Sequence, residues 1–93
     1  MKLRYTDRAV IDLEVAFDWY EKQVPGLGLD FIDCVEEKIS TVVELPYSCP
    51  AHHKDFRRAL IRKFPFSIFY TIENETIIVH AVFDNKRSPA HLP

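Results

Sequence analysis

The spacing of apolar residues changes along the chain at Pro46. Before this proline, apolar side chains recur every three or four residues, which is the spacing of an amphipathic helix. After it, apolar and polar residues alternate, which is typical of strands with one buried face. The pattern therefore predicts a mainly helical first half and a stranded second half.

The first half predicts a short strand over Met1–Tyr5 followed by two helices. Thr6 is suited to cap the first helix, and Pro25-Gly26-Leu27-Gly28 predicts a tight reversal between the two. Helices joined by so short a turn form an antiparallel hairpin. The residues predicted to face inward are Ala9, Leu13, Ala16, Phe17, Tyr20 and Val24 in the first helix, and Leu27, Phe31, Cys34, Val35, Val42 and Leu45 in the second.

The second half predicts three antiparallel strands, Arg57–Phe64, Phe66–Glu73 and Thr76–Asp84, with a short turn at Glu73-Asn74-Glu75. Strict alternation assigns the buried face to Leu60 and Phe64, then to Phe66, Ile68, Tyr70 and Ile72, and finally to Ile77, Val79, Ala81 and Phe83.

The order of these elements predicts an α+β fold in a single domain over residues 1–93. An N-terminal strand and an antiparallel helical hairpin would pack on a small antiparallel sheet. We expect the helices to cover one face of the sheet. The other face, which is only partly apolar, would be the working surface.

Charge is unevenly distributed along the chain. Residues 1–50 carry five Lys or Arg against ten Asp or Glu, whereas residues 51–93 carry seven against four. The net charge of −2 argues against general nucleic-acid binding. The asymmetry predicts two faces of opposite charge if the two halves fold onto opposite sides.

No signal peptide and no long apolar span are visible, so we expect a cytoplasmic protein that does not bind membranes and has reduced thiols. Cys34 and Cys49 lie outside any metal-binding spacing, although the sequence cannot tell whether they ever pair. Gly26-Leu27-Gly28 lacks the third glycine of a dinucleotide loop. No metal and no cofactor are predicted.

A cluster of cations is the main candidate site. Alternation would place Arg58 and Arg62 on one strand face, and Arg57 and Lys63 on the other. Two or three of them, joined by Arg87, could line a groove that binds phosphates or an acidic partner. Alternatively, they solvate an exposed sheet face or pair with the acidic helices. The full cluster comprises Lys54, Arg57, Arg58, Arg62, Lys63, Lys86 and Arg87.

The histidines are scattered, at positions 52, 53, 80 and 91. The adjacent pair His52 and His53 has no evident third metal ligand. His80 is predicted to lie mid-strand, with Ile78 and Val82 on the same face, either as a general base or as a hydrogen-bonded structural residue.

A second apolar stripe on the first helix consists of Ile11, Val15 and Trp19. We expect these side chains to be buried against the second helix. Docking of a partner helix is the alternative.

Together these motifs resemble the RelE/ParE superfamily of toxins from type II toxin–antitoxin systems, and in particular its ParE-like, plasmid-stabilisation branch. The resemblance covers almost the whole chain. It is carried by Asp12-Leu13 and Trp19-Tyr20, by PGLG followed by Phe31, by Arg57 before Phe64-Pro65-Phe66 with Ile68 and Tyr70, and by Ala81-Val82-Phe83 before Lys86-Arg87-Ser88-Pro89.

The resemblance implies a toxin that is neutralised in a hetero-oligomer with a cognate antitoxin, and that inhibits DNA gyrase by binding rather than by catalysis. It implies a toxic or partner-facing surface that includes the strand arginines with Lys86 and Arg87. One alternative is a ribosome-dependent mRNA endoribonuclease that uses Arg62, His80 and Arg87. The other is an inactive relative that acts only as a binding module.

Two departures from the family pattern bear on these alternatives. Asp84 stands where the terminal motif usually carries His, which favours the inactive relative. The chain ends at Pro93 without the C-terminal Tyr of the RelE nucleases, and it is slightly acidic where those nucleases are very basic. These features favour a non-enzymatic inhibitor.

Overall fold

The computed structural model, which describes residues 1–87 and 89–93 without the side chains of His52 and Pro89, places two helices against one face of a five-stranded sheet. A 3-10 turn, Pro89–His91, closes the chain. The elements in chain order are β1 (Lys2–Tyr5), α1 (Asp7–Gln23), α2 (Leu27–Glu44), β2 (Ala51–His53), β3 (Phe56–Leu60), β4 (Phe66–Glu73) and β5 (Thr76–Asp84).

The sheet has the strand order β1-β5-β4-β3-β2, and the predicted α+β fold is confirmed. Strands β2 to β5 are antiparallel, but β1 runs parallel to β5, so the sheet is mixed rather than antiparallel. The parallel pairing is possible because the helical hairpin and three strands separate β1 from β5 in the chain. The short β2 was not predicted.

The first helix of the hairpin begins at a polar cap. Thr6 Oγ1 accepts a hydrogen bond from the Ala9 amide at 3.2 Å, as predicted for an N-cap.

The side chain of Glu21 caps the second helix. Its two carboxylate oxygens accept the amide N–H groups of Gly26 (2.9 Å) and Gly28 (3.0 Å). Gly26 has φ +90°, and a Cβ on Gly28 would lie 2.8 Å from the Phe17 carbonyl oxygen. Both glycines are therefore required by the geometry of the reversal.

The main core lies between the helices and the sheet. Three residues predicted to face the core between the helices and the sheet are exposed: Val24 (55%), Leu45 (57%) and Leu60 (58%). The first two follow the last turn of their helices, and Leu60 ends β3 on the face away from the helices. The fully buried large side chains of this core include Phe31, Val35, Val42, Ile68, Tyr70, Ile77 and Val79.

An extra residue in β5 changes which side chains lie on each face of the sheet, so the predicted faces are wrong beyond it. Tyr70 pairs with Val79 but Phe69 pairs with Ala81, so His80 is a β-bulge. The bulge reverses the alternation beyond it. Val82 therefore packs in the main core, whereas Ala81 and Phe83, which were predicted to be there, lie on the opposite face.

We call that opposite face the outer face. Phe69, Ala81 and Phe83 form a second buried cluster there, and Phe56 and Leu92 pack against it. The centre of the outer face is thus covered by residues of the same chain. The buried side chains of this centre are therefore not accessible to a partner.

The predicted strand Arg57–Phe64 is also shorter than expected, because β3 ends at Leu60. Residues 61–65 form a tight connection in which the Ile61 amide donates to the Phe66 carbonyl at 3.1 Å. Lys63 adopts φ +75° within this connection. The alternation of side chains therefore stops before Arg62.

The hairpin between β4 and β5 contains two non-glycine residues with positive φ. Asn74 and Glu75 form its two-residue loop with φ of +49° and +61°, which is the geometry of a type I′ turn. Glu75→Gly should relieve left-handed strain and raise the free energy of unfolding by about 0.5–1 kcal/mol, as measured by urea denaturation. Asn74→Gly is the control and should change little, since Asn tolerates this conformation. A loss of stability in Glu75→Gly would contradict the turn assignment.

Candidate functional site

The stripe on α1 is exposed. Ile11, Val15 and Trp19 are 57%, 56% and 58% accessible, so the prediction that they are buried in the domain was wrong. The reason is that α1 packs through Ala9 and Ala16, which lie on a different side of the helix. Three large apolar side chains aligned on one helix face are typical of a docking surface.

The stripe forms one wall of a groove with a volume of about 560 Å³. The end of β5 also lines this groove, and the turn after β5 contributes Lys86 and Arg87. We call this the α1 groove. The structure thus brings two sets of predicted partner-binding residues together: the apolar stripe, and the two cations of the terminal motif.

Asp12 also lines the α1 groove. β1 pairs with β5 only as far as Val79, and beyond it the Asp12 carboxylate accepts the Val82 amide N–H at 3.0 Å. Burial raises the pKa of Asp12, although the Val82 hydrogen bond and the nearby charges of Arg8 and Arg87 oppose the shift. The Arg8 guanidinium lies 3.7 Å from this carboxylate.

Sequence reasoning did not select Arg8 or Asp12 as site residues. A signal was present, because the two are four residues apart and therefore lie on one side of α1. Asp12 had been noted only as part of a family motif. Its hydrogen bond to Val82 joins residues 70 positions apart, and no local pattern predicts such a contact.

Three of the cations that were predicted to lie on one strand turn towards the helical layer. The Arg57 guanidinium donates to the Cys49 carbonyl and lies 5.1 Å from the centre of the Tyr47 ring. The other two bind carboxylates of α2: Arg62 donates to both oxygens of Glu37, at 3.1 and 3.2 Å, and Lys63 Nζ lies 3.4 Å from Asp30 Oδ2.

The ion pair between Arg62 and Glu37 has reciprocal electrostatic effects. Its hydrogen bonds lower the pKa of Glu37 and raise that of Arg62. Both side chains are more than half exposed, so water screens the interaction and the pair adds little to stability. Its main consequence is to direct Arg62 towards α2.

Arg58 alone of the predicted strand arginines lies on the outer face. Its Nε donates to Ser67 Oγ at 2.9 Å and its Nη2 to Asn85 Oδ1 at 3.0 Å. The predicted face shared by Arg58 and Arg62 does not form, because β3 ends between them. Lys54 lies in the turn between β2 and β3, with φ +53°. The basic residues are therefore distributed among separate surfaces.

His80 also lies on the outer face, and its Nε2 is 2.8 Å from Thr71 Oγ1. Its ring centre lies 4.9 Å from that of Phe56, and burial lowers the pKa of the imidazole, which favours the neutral form of His80. Because His80 is a bulge, Val82 does not share its face, contrary to the prediction.

His53 and His91 differ in their surroundings. His53 is exposed at the end of β2, and His91 lines the α1 groove, where its carbonyl accepts a hydrogen bond from Arg8. Ser88 and the side chain of His52 lie outside the described residues. Within residues 1–87 and 89–93, no three His, Cys, Asp or Glu side chains are grouped as metal ligands would be. Nor does any helix there have the length and apolarity needed to cross a membrane.

The sequence matches the family model described as "ParE toxin of type II toxin-antitoxin system, parDE" over residues 3–89. The chain belongs to the ParE toxin family. This match confirms the resemblance noted from the motifs. A search of curated protein sequences gave no significant match.

Solved structures of ParE and RelE systems share the fold of this ParE family member. A chain of the chromosomal ParDE TA system from P. aeruginosa superposes with a TM-score of 0.79, covering 90% of this chain and 95% of that chain. The intact E. coli RelBE toxin–antitoxin complex gives 0.69, with 92% and 98% covered, and the isolated E. coli RelE toxin gives 0.67, with 97% and 89% covered. Sequence identity is 18% in each case, so these similarities concern the fold.

The environment of Asp12 predicts a pH effect on stability. A carboxyl group whose pKa is raised by folding stabilises the protein when protonated, and this contribution is lost as pH rises through the unfolded and then the folded pKa. The free energy of unfolding of the wild type should therefore fall relative to that of Asp12→Asn between about pH 3 and pH 6. The Asn carbonyl can still accept the Val82 N–H. Urea denaturation across this range measures the difference, and a constant difference would contradict the assignment.

Proposed function

We propose that this chain is a toxin that arrests growth by binding DNA gyrase, without catalysing a reaction, and that a cognate antitoxin neutralises it in a cytoplasmic hetero-oligomer. The observation that carries the choice of binding over catalysis is the separation of Arg62, His80 and Arg87. Cleavage of RNA needs a general base and cationic groups around one phosphate. These three residues were the candidates for that role.

Each of the three has a different environment. Arg62 is held by Glu37 of α2, His80 is bonded to Thr71 on the outer face, and Arg87 lines the α1 groove. In this arrangement they do not surround a common phosphate. The geometry therefore favours inhibition by binding over the ribonuclease alternative.

The α1 groove is the surface that best suits the antitoxin. Its apolar stripe would bury an apolar ridge of an amphipathic segment, and Lys86 and Arg87 would attract acidic residues beside that ridge. Asp12 and Asp84 also line the groove, but Asp12 is paired with Arg8, and Asp84 Oδ1 accepts the Lys86 amide N–H.

A second copy of the chain suits the stripe less well. If two α1 helices packed antiparallel about Val15, Arg8 of one copy would face Lys22 of the other, since both lie seven residues from the centre. This like-charge contact disfavours self-association and favours an acidic partner.

The function is tested with purified protein in two parallel assays. We expect the wild type to inhibit supercoiling by DNA gyrase, or to trap its cleaved DNA, and to leave ribosome-bound mRNA intact. Cleavage of that mRNA without an effect on gyrase would overturn the proposal in favour of the RelE-like alternative. Expression without the antitoxin provides the third readout, because harmless accumulation would support the inactive relative.

Two valines of α1 provide a matched test of the antitoxin surface. Val15 (56% exposed) lines the α1 groove, whereas Val10 (44% exposed) does not. Val15→Asp should weaken antitoxin binding by about 2 kcal/mol or more, because it places a charge in an apolar contact. Val10→Asp should have little effect, and neither change should shift the free energy of unfolding by more than about 0.5 kcal/mol. Calorimetric titration measures both affinities, and equal affinities would exclude the groove as the docking surface.

A further inference from the structure

We propose that Arg58 presents a fixed, bidentate binding site for a carboxylate on the outer face. The ligand of this site is an acidic side chain of the protein that the toxin inhibits. The inference rests on the proposed function in one respect, namely that the toxin acts by binding a protein. It adds the chemistry by which the target would be recognised, and it separates that site from the α1 groove.

The orientation of the guanidinium leaves one edge available. Its Nε and Nη2 donate to Ser67 and Asn85 at 2.9 and 3.0 Å, so the edge between these two nitrogens is occupied. A guanidinium has five N–H donors, and the edge between Nη1 and Nη2 can hold both oxygens of a carboxylate. The N–H groups of that edge have no partner within residues 1–87 and 89–93.

The neighbouring contacts hold this edge in place. Ser67 is fully buried, and its hydroxyl donates to Asn85 Oδ1 at 2.6 Å, which closes a triangle of hydrogen bonds around Arg58. The Asn85 amide donates to the Pro65 carbonyl at 2.8 Å, so the turn that carries Asn85 is itself anchored. The guanidinium carbon lies 5.7 Å from the centre of the Phe69 ring. A cation held in this way loses little conformational entropy on binding.

Arg58 differs in this respect from the other arginines of its segment. Arg62 binds both oxygens of Glu37, and Arg57 is bound to the carbonyl of Cys49. Among the ion pairs of the described residues, Arg58 has no carboxylate partner. It therefore presents an unneutralised positive charge on the outer face.

The surroundings of Arg58 indicate a protein rather than a nucleic acid as the ligand. Phe56 and Leu60 lie two residues to either side on the same strand face, and Leu60 is 58% exposed. Aromatic residues and arginine within an apolar border are typical of the energetic centres of protein interfaces. A phosphate backbone would need further cations nearby, but Arg57 and Arg62 turn towards the helical layer.

Two variants weaken the proposed site by different routes. Arg58→Lys keeps the charge but cannot bind a carboxylate through two parallel bonds. Asn85→Asp keeps Arg58 and the size of its neighbour, but places an internal carboxylate against the guanidinium. Arg62→Lys is the control, because it removes a comparable pair of guanidinium donors that already binds both oxygens of Glu37.

The first experiment measures the affinity of the purified variants for DNA gyrase and their growth arrest on induction. Arg58→Lys and Asn85→Asp should each bind about tenfold more weakly or worse, whereas Arg62→Lys should match the wild type. Antitoxin affinity and Tm should remain near wild-type values in all three. Unchanged gyrase binding in Asn85→Asp, with the fold intact, would overturn the proposal, as would an equal loss in Arg62→Lys.

The second experiment does not depend on gyrase or on toxicity. The Arg58 Nε–Hε resonance is followed by NMR while the protein is titrated with acetyl-Leu-Asp-Leu-amide, with its Asn counterpart, or with inorganic phosphate. A saturable shift with the Asp peptide alone supports the site, even if the wild type proves not to bind gyrase. No shift at millimolar peptide, or an equal shift with phosphate, would refute a carboxylate site.

Discussion

The bulge at His80 determines which side chains lie on each face of the molecule. Without the extra residue, Ala81 and Phe83 would point towards the helices and Val82 would point away from them. With it, Val82 completes the main core, and Phe83 joins Phe69 on the outer face. Two packed clusters are thus built on the two sides of the same strands.

Strand β5 also connects the two proposed binding surfaces. The edge of β5 that faces away from β4 is paired with β1 only up to Val79. Beyond that point α1 crosses the edge, and its Asp12 carboxylate accepts the Val82 N–H that a strand would otherwise have bonded. The α1 groove lies beside this part of β5 and is lined by α1, the end of β5 and the turn after it.

Local patterns were sufficient to predict the helical hairpin and the antiparallel strand pairs. The Thr6 cap, the two glycines of the reversal and the Asn74-Glu75 turn each have a local physical cause, and local causes are visible in a sequence. The N-terminal strand was also predicted, but its parallel pairing with β5 was not, because pairing between distant segments leaves no periodic signal.

The errors in face and burial have a different origin. Alternation assumes an unbroken strand, so it placed Ala81, Phe83 and Arg62 on faces that the bulge at His80 and the end of β3 change. The apolar stripe of α1 was assigned to the interior because a helix in a hairpin on a sheet needs one apolar face for the sheet and another for the neighbouring helix. Its exposure in the folded chain could not be predicted from spacing alone, since an interior stripe and a docking stripe have the same pattern.

The turn from Asp84 to Arg87 explains how one short segment can serve both surfaces. Asp84 Oδ1 accepts the Lys86 amide at 2.9 Å, and the Asp84 carbonyl accepts the Arg87 amide at 2.9 Å, so Asp84 shapes the turn through its side chain as well as its backbone. With the turn held in this way, Asn85 reaches Arg58 on the outer face, and Lys86 and Arg87 line the α1 groove. The aspartate at the motif position that usually carries histidine is therefore a structural residue, and its presence is no evidence that the surfaces around it have lost their function.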